Sequence, residues 1–261
     1  MTCGKCFILL ASTAMTAAAA SADIIIDGGF EVQAARQNLP GYSPSGAPTQ
    51  KWGAGWNNWG WTSWQAIQGG GAWTGGSMAR TEEYAAGWKW AHTGDVFGII
   101  KDRQTMSQTF TASEDAIGTL SWFDANRASW REIDWYGRPN DYSVTVTDSF
   151  GNIQVVGNYT SQVAGGNSWS SPPGNGWWTT EGKSTWFART GADFILRAGV
   201  TYTLSFNSLS PIVYDEFGNF VKVDDRSTFL DDISLNTTVL PSPGSIALLG
   251  MAGVVTMRRR R

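Results

Sequence analysis

"DYSVTVTD", Asp141 to Asp148, alternates Tyr142, Val144 and Val146 with Ser143, Thr145 and Thr147. A period of two puts the three apolar side chains on one face and the hydroxyls on the other, the pattern of a half-buried strand. "VTYTLSFN", Val200 to Asn207, repeats it, with Val200, Tyr202, Leu204 and Phe206 on one face. "SFGN" at 149–152 and "EFGN" at 216–219 are turn signals, and each runs into an apolar stretch, Ile153–Val156 and Phe220–Val223. "QTMSQTFTA", "GTLSWFDANR", "TWFAR" and "STFLDDISLN" supply further short strands. Helical periodicity is missing almost everywhere. The spacing predicts an all-β fold, an antiparallel β-sandwich.

Two stretches interrupt the strands: residues 33–76 and "SQVAGGNSWSSPPGNGWW" at 161–178. Both are rich in glycine, serine and tryptophan and read as long loops, which in compact domains are usually functional. All 15 tryptophans fall between Trp52 and Trp186. "KWGAGWNNWGWTSWQAIQGGGAW", Lys51 to Trp73, holds six of them.

The two ends carry signals of their own. Lys5, an apolar run from Phe7 to Ala20 and the small residues Ala20-Ser21-Ala22 form the pattern of a secretory signal peptide over residues 1–22. Cys3 and Cys6 lie inside it, so the exported chain would carry no thiol. At the other end, 241–261, a Pro-Ser-Pro-Gly opener precedes thirteen mostly apolar residues, Ser245 to Met257, and four arginines. Thirteen falls short of the ~20 residues of a spanning helix. A short apolar run closed by arginines still has a physical logic at a membrane whose cytoplasmic leaflet is anionic. This segment resembles the PEP-CTERM sorting tail, with Ser242 standing where that family has glutamate. The resemblance implies an exosortase-type sorting enzyme as partner, transient contact with the inner membrane, and delivery to the cell surface or extracellular matrix.

Between the ends, residues 23–240 are long enough for one sandwich with a proper core. Without Lys5 and the terminal arginines, 14 basic residues face 22 acidic ones, a net charge of about −8. Such a body is a poor partner for nucleic acid, whose binding rests on phosphate neutralisation.

Catalytic chemistry finds little to work with. His92 is the only histidine, and "KWAHTGDVFG" around it shows no nucleophile elbow, so it reads as structural. In "REIDWYGRP" (Arg131 to Pro139), Glu132 and Asp134 would share a face of a strand. Retaining glycosidases need two carboxyls ~5 Å apart. The pair resembles the Glu-x-Asp strand of a family of jelly-roll retaining glycanases, in which a second glutamate follows as acid/base; here Trp135, Tyr136 and Gly137 follow instead, so a jelly-roll glycoside hydrolase ranks third among the functions considered.

Binding without reaction fits the composition better. Sugars present apolar C–H faces ringed by hydroxyls, which flat rings and Asn, Gln, Asp or Arg side chains can match. "WNNWGWTSWQ" offers Trp56, Trp59, Trp61 and Trp64; "NRASWREIDWYGR" offers Arg127, Trp130 and Trp135. Against this stands a bland reading, that indoles fill the core or cover glycine-rich backbone. It leads to a purely structural surface or matrix protein as the alternative function.

"DGGFE" (Asp27–Glu31), "SQTFTA", "LSWFDANR", "DYSVTV" and "FLDDISL" (Phe229–Leu235), in that order, resemble the galactose-binding-like jelly rolls, including carbohydrate-binding modules. The resemblance implies a jelly-roll sandwich whose first and last strands lie side by side. It also implies a structural calcium ion held by the matching carboxylates, Glu31 and Asp231, an arrangement that suits a hard cation.

Overall fold

The computed structural model describes residues 24–37, 65–80, 91–126, 139–161, 186–224 and 226–241. The signal segment 1–22, the tail 242–261 and the candidate residues Trp56, Trp59, Trp61, Trp64, Arg127, Trp130 and Trp135 lie outside them, as do Glu132 and Asp134.

The described residues make one short helix, α1 (Glu31–Arg36), and fourteen strands: β1 (Gln65–Ala66), β2 (Thr74–Gly75), β3 (Ser77–Arg80), β4 (Val96–Lys101), β5 (Thr105–Thr111), β6 (Ala116–Asn126), β7 (Asp141–Asp148), β8 (Ile153–Thr160), β9 (Phe187–Thr190), β10 (Phe194–Leu196), β11 (Thr201–Ser208), β12 (Ile212–Tyr214), β13 (Phe220–Val223) and β14 (Ser227–Val239). A seven-stranded sheet runs β1-β3-β4-β14-β6-β10, with β9 also on β6; a five-stranded sheet runs β2-β5-β11-β7-β8; β12 and β13 form a separate hairpin. Every pairing is antiparallel. This is the antiparallel β-sandwich that the strand pattern predicts, and the jelly-roll class that the resemblance implies.

The two alternating stretches sit next to each other. In β7, Tyr142, Val144 and Val146 point inward, and β11 answers with Tyr202, Leu204 and Phe206. Opposite them lie Leu120 and Trp122 of β6 and Ile233 and Leu235 of β14, all buried in one core. A second cluster, Phe97, Ile99, Ala125 and Phe229, lies on the outer face of the large sheet with Trp186 packed against it. The continuous burial of β4 reflects this: a strand covered on both faces reads as an unbroken apolar run, here "VFGII".

The start of the chain departs from the family-based expectation. "GFE" does not form a first strand. Its Glu31 opens α1, which runs into the stretch read as a loop from residue 33; β1 and β2 also lie in that stretch, as two-residue edge strands too short for an alternation to show. Phe30 holds a left-handed φ of 64°, and the Asp27 carboxylate accepts hydrogen bonds from the amides of Val32 and Gln33 at 3.0 and 2.7 Å. An aspartate that satisfies first-turn amides favours helix locally, which outweighs a strand pattern of only three or four residues. The start and end of the fold nonetheless meet. Ile233 donates its amide to Gly28 O at 3.2 Å, and a Cβ on Gly28 would stand 2.0 Å from Ile233 O. Only glycine lets the two segments approach this closely.

Candidate functional site

Two places gather polar side chains. The first lies where the start of α1 meets the bulge in β14. Glu31 Oε1 accepts the amides of Asp95 and Val96 at 2.6 and 2.9 Å. Asp231 Oδ2 accepts those of His92 and Thr93 at 2.8 and 3.3 Å, and its Oδ1 accepts Asp232 N at 2.8 Å. The predicted metal pair is thus drawn to one turn, residues 92–96, and both carboxylates clasp its backbone. Asp232, at a left-handed φ of 48°, accepts the Thr93 hydroxyl and pairs with His92 Nδ1 at 2.5 Å. The His92 ring stacks on Phe123 with centroids 3.6 Å apart, so the histidine does hold structure here.

Among the described residues no three His, Cys, Asp or Glu side chains stand close enough to hold a metal. Calcium would therefore need backbone carbonyls or water beside Glu31 and Asp231 to reach its six to eight oxygens. The donor chemistry suits it, since both side chains are hard carboxylates. Gly29 also leaves room: a Cβ there would come within 3.6 Å of Asp231 Oδ1 and 3.8 Å of Asp232 Oδ1.

Burial, and then the charge of Asp232, push the Asp231 carboxyl up to about 8, against the opposing pull of its three amide bonds. The folded protein thus keeps a proton that the unfolded chain, with a carboxyl near 3.8, releases. Stability from this group is full below pH 4 and is lost as pH rises through 8. Urea unfolding in calcium-free buffer between pH 4 and 8 is expected to show stability falling with pH. Asp231→Asn, which cannot ionise, is expected to remove most of that slope.

The second place is one end of the sandwich, where a knot of buried polar side chains ties several connections together. Asn140 donates from its backbone to Ser161 Oγ at 3.1 Å and from Nδ2 to Ser208 Oγ and Thr228 Oγ1, both at 3.0 Å. Ser210 Oγ donates to Asn140 Oδ1 at 3.1 Å. Thr228 in turn is paired with Asn126 in the ladder. The points where the chain leaves β6 and re-enters β7, and where it leaves β8, therefore share this end. Arg226 Nη1 donates to Pro139 O at 3.1 Å, which fixes the root of the β12–β13 hairpin beside them.

Just inside this end, Asp124 is fully buried. Its Oδ2 accepts the Tyr142 hydroxyl at 2.6 Å and faces Arg189 Nε at 3.0 Å. Trp122 Nε1 donates to the same tyrosine oxygen at 3.0 Å. Burial and the aspartate charge hold the Tyr142 phenol far above its ordinary range, so it stays a donor at any working pH. Sequence reasoning did not find this cluster. Its members are far apart in the chain, and only the β6–β7 fold-back and the β6–β9 pairing bring them together.

The described tryptophans are structural. Trp73 is fully buried, donates Nε1 to Asp27 O at 2.8 Å and packs on Phe30 and Phe206. Trp122 lies in the main core. Trp186 meets Phe97 edge-on at 5.8 Å, over the outer face of the large sheet. The roots of the segments bearing the candidate residues are also fixed. Gln37 ties the base of 38–64 together, accepting Gln68 N at 3.0 Å and donating to Ala66 O at 3.1 Å. The segment bearing Arg127, Trp130 and Trp135 leaves and returns at the polar knot; in the large sheet β3 and β4 stand between β1, at the base of 38–64, and β14, which brings Thr228 to the knot.

No family model matches this chain, and no curated protein does. Solved structures with related folds include a family 61 carbohydrate-binding module in complex with β-1,4-galactotriose, 12% identical over 84% of this chain and 100% of that one, TM-score 0.39. The K2 adhesin domain of Lys-gingipain is 14% identical over 67% of this chain and 94% of that one, TM-score 0.37. A family 35 carbohydrate-binding module from Cellvibrio japonicus is 16% identical over 56% and 75%, TM-score 0.29. At these scores the fold assignment rests on the strand pairing itself.

Proposed function

We propose that the protein is a non-catalytic, exported module that contacts polysaccharide through its tryptophan-bearing connections, with Arg127, Trp130 and Trp135 as the leading set and Trp56, Trp59, Trp61 and Trp64 as a second. The observation that carries this reading is the polar knot at Asn140. It fastens both roots of the 127–138 segment and the start of the 162–185 segment, which between them bear Trp130, Trp135, Trp169, Trp177 and Trp178, to one end of the sandwich. Binding loops on a rigid scaffold are how such domains present a site, and indole faces beside Asn and Arg suit a sugar chain. The test is retention on a panel of polysaccharides. Trp130→Ala with Trp135→Ala is expected to weaken retention by about tenfold or more, as loss of buried aromatic anchors does. Trp59→Ala with Trp61→Ala asks the same of the second set.

A purely structural surface protein is the second reading. The burial of Trp73 and Trp122 and the packing of Trp186 favour it, since indoles used as filler and cover need no ligand.

Calcium held by Glu31 and Asp231 belongs to the proposal as a staple between the start and end of the fold. The ion binds only the ionised Asp231. Added calcium is therefore expected to raise the thermal midpoint more at pH 8 than at pH 5, and chelator to reverse it; a midpoint indifferent to both at pH 8 removes the ion. Export, surface or matrix location and handling by an exosortase-type enzyme follow from the end segments in the same reading.

A further inference from the structure

The β12–β13 hairpin stands apart from both sheets. Its two strands pair only with each other, and among the described residues no hydrogen bond reaches 212–214 or 220–223 from outside the hairpin. Ser210 Oγ, donating to Arg226 O at 3.2 Å, and Arg226 Nη1, donating to Pro139 O, fasten only its root. Both strand edges therefore keep open backbone N–H and C=O groups, a template for a further strand.

The hairpin also carries apolar side chains in the open. Tyr214 faces Phe220 and Ile212 faces Val223 across the ladder, so the period of two puts all four on one face. Tyr214 is 57% exposed, Phe220 63% and Phe217, in the turn, 80%. With Leu209, Ile212 and Val221 they leave about 600 Å² of open side chain, against the ~800 Å² that each partner buries in a standard interface. A two-stranded ribbon is marginal by itself and gains from further strands. Phe150, Ile153, Val155, Ile195 and Val239, away from the hairpin, are exposed as well, so exposure alone does not single it out. The open edges do. Near Ile153 and Val155 the edges of β8 and β10 are tied to each other: Gln154 donates to Ile195 O and accepts Ile195 N, both at 2.9 Å, and Ala192 N donates to Val156 O at 2.9 Å.

We infer that the hairpin is a dimer contact, in which β12 pairs antiparallel with β12 of a second copy of this chain, Val213 beside the partner's Val213. The edge is suited to its own copy. The exported body carries a net charge of about −8, yet β12 holds no charged residue and β13 only Lys222. An isologous contact closes one open edge on each copy at once. It joins the two hairpins into one four-stranded sheet, with Ile212, Tyr214, Phe220 and Val223 of both copies on a single apolar face. β13 shifts register at Val221, and such a bulge makes it the poorer edge for a straight partner. Since the hairpin is rooted beside Asn140, the two copies meet at that end. Nothing in the contact depends on glycan binding.

Sedimentation velocity of the full chain is expected to show a dimer whose share rises with concentration. Tyr214→Ser with Phe220→Ser is expected to weaken it by about tenfold or more and to leave the thermal midpoint unchanged, because both side chains are exposed. Cross-linking tests the register. The full chain with Cys3→Ser and Cys6→Ser keeps no native cysteine. On that background Val213→Cys is expected to give a disulfide-linked dimer under mild oxidation, since facing residues of paired strands come within ~5.5 Å. Phe150→Cys, at the opposite end of β7, is not. A parent chain still monomeric at about 100 µM, a double variant that dimerises as the parent does, or equal cross-linking from positions 213 and 150 would each overturn the inference. So would a monomeric parent whose polysaccharide retention falls in the Tyr214→Ser, Phe220→Ser variant, which would give the hairpin to glycan instead.

Discussion

Trp73→Ala is expected to lower the free energy of unfolding by about 3–5 kcal/mol, the range for deleting a large aromatic from a packed core. The ring is fully buried, with Phe30 at 5.3 Å and Phe206 at 6.4 Å between centroids. Its indole N–H satisfies Asp27 O, the carbonyl of the residue whose side chain caps α1. Alanine would leave a cavity between the first turn of the fold and β11, and Asp27 O would keep only the Phe30 amide, at 3.1 Å. Chemical unfolding followed by circular dichroism measures it. A loss under 1 kcal/mol would mean that Trp73 is peripheral and that the core is drawn wrongly. Trp73 belongs to the same tryptophan-rich run as Trp56, Trp59, Trp61 and Trp64, and its own place in that run is the core.

Asp124→Ala is expected to cost about 3 kcal/mol, the lower part of the range for removing one member of a buried charge pair. The lower part applies because Arg189 keeps 19% of its side chain exposed and can recover some hydration. The loss has two sources. The Arg189 guanidinium loses its carboxylate, and the Tyr142 hydroxyl, between Trp122 and Asp124, loses its acceptor. Adding Arg189→Met to Asp124→Ala is expected to restore part of the stability, because the remaining charge goes with it; coupling of at least 1 kcal/mol in the double-mutant cycle is the signature. Strictly additive losses would mean that the two side chains do not act as a pair.

Most of the sandwich could be read in the sequence because its strands are half-buried. "DYSVTVTD" and "VTYTLSFN" bury one face each, and alternation reports that directly. The two "FGN" turns were legible for a different reason, since Gly and Asn side by side mark a turn; the part of Asp148 and Asp215, which accept the turn amides, was not. What escaped is what depends on contact between distant residues. α1 is only six residues long, too short for a helical period, and it is set by the Asp27 cap. Glu31 and Asp231 were found through family resemblance, and they do meet at one turn. Their shared work of holding the 92–96 backbone could not be read from either residue alone. The Asp124–Tyr142–Arg189 cluster and the Asn140 knot had no local signal, because strand pairing assembles them. Tryptophan was ambiguous for a physical reason: the ring that stacks on a sugar also fills a core, and composition does not distinguish the two.

Electrophoresis of the native protein through gels carrying soluble polysaccharides, one polymer per gel, tests the central claim most directly. Glycan contact at the Asn140 end predicts that at least one polymer slows the parent chain and that Trp130→Ala with Trp135→Ala restores most of the free mobility, with the thermal midpoint unchanged. A parent chain whose mobility no polymer alters would contradict the account and leave a structural surface protein in its place.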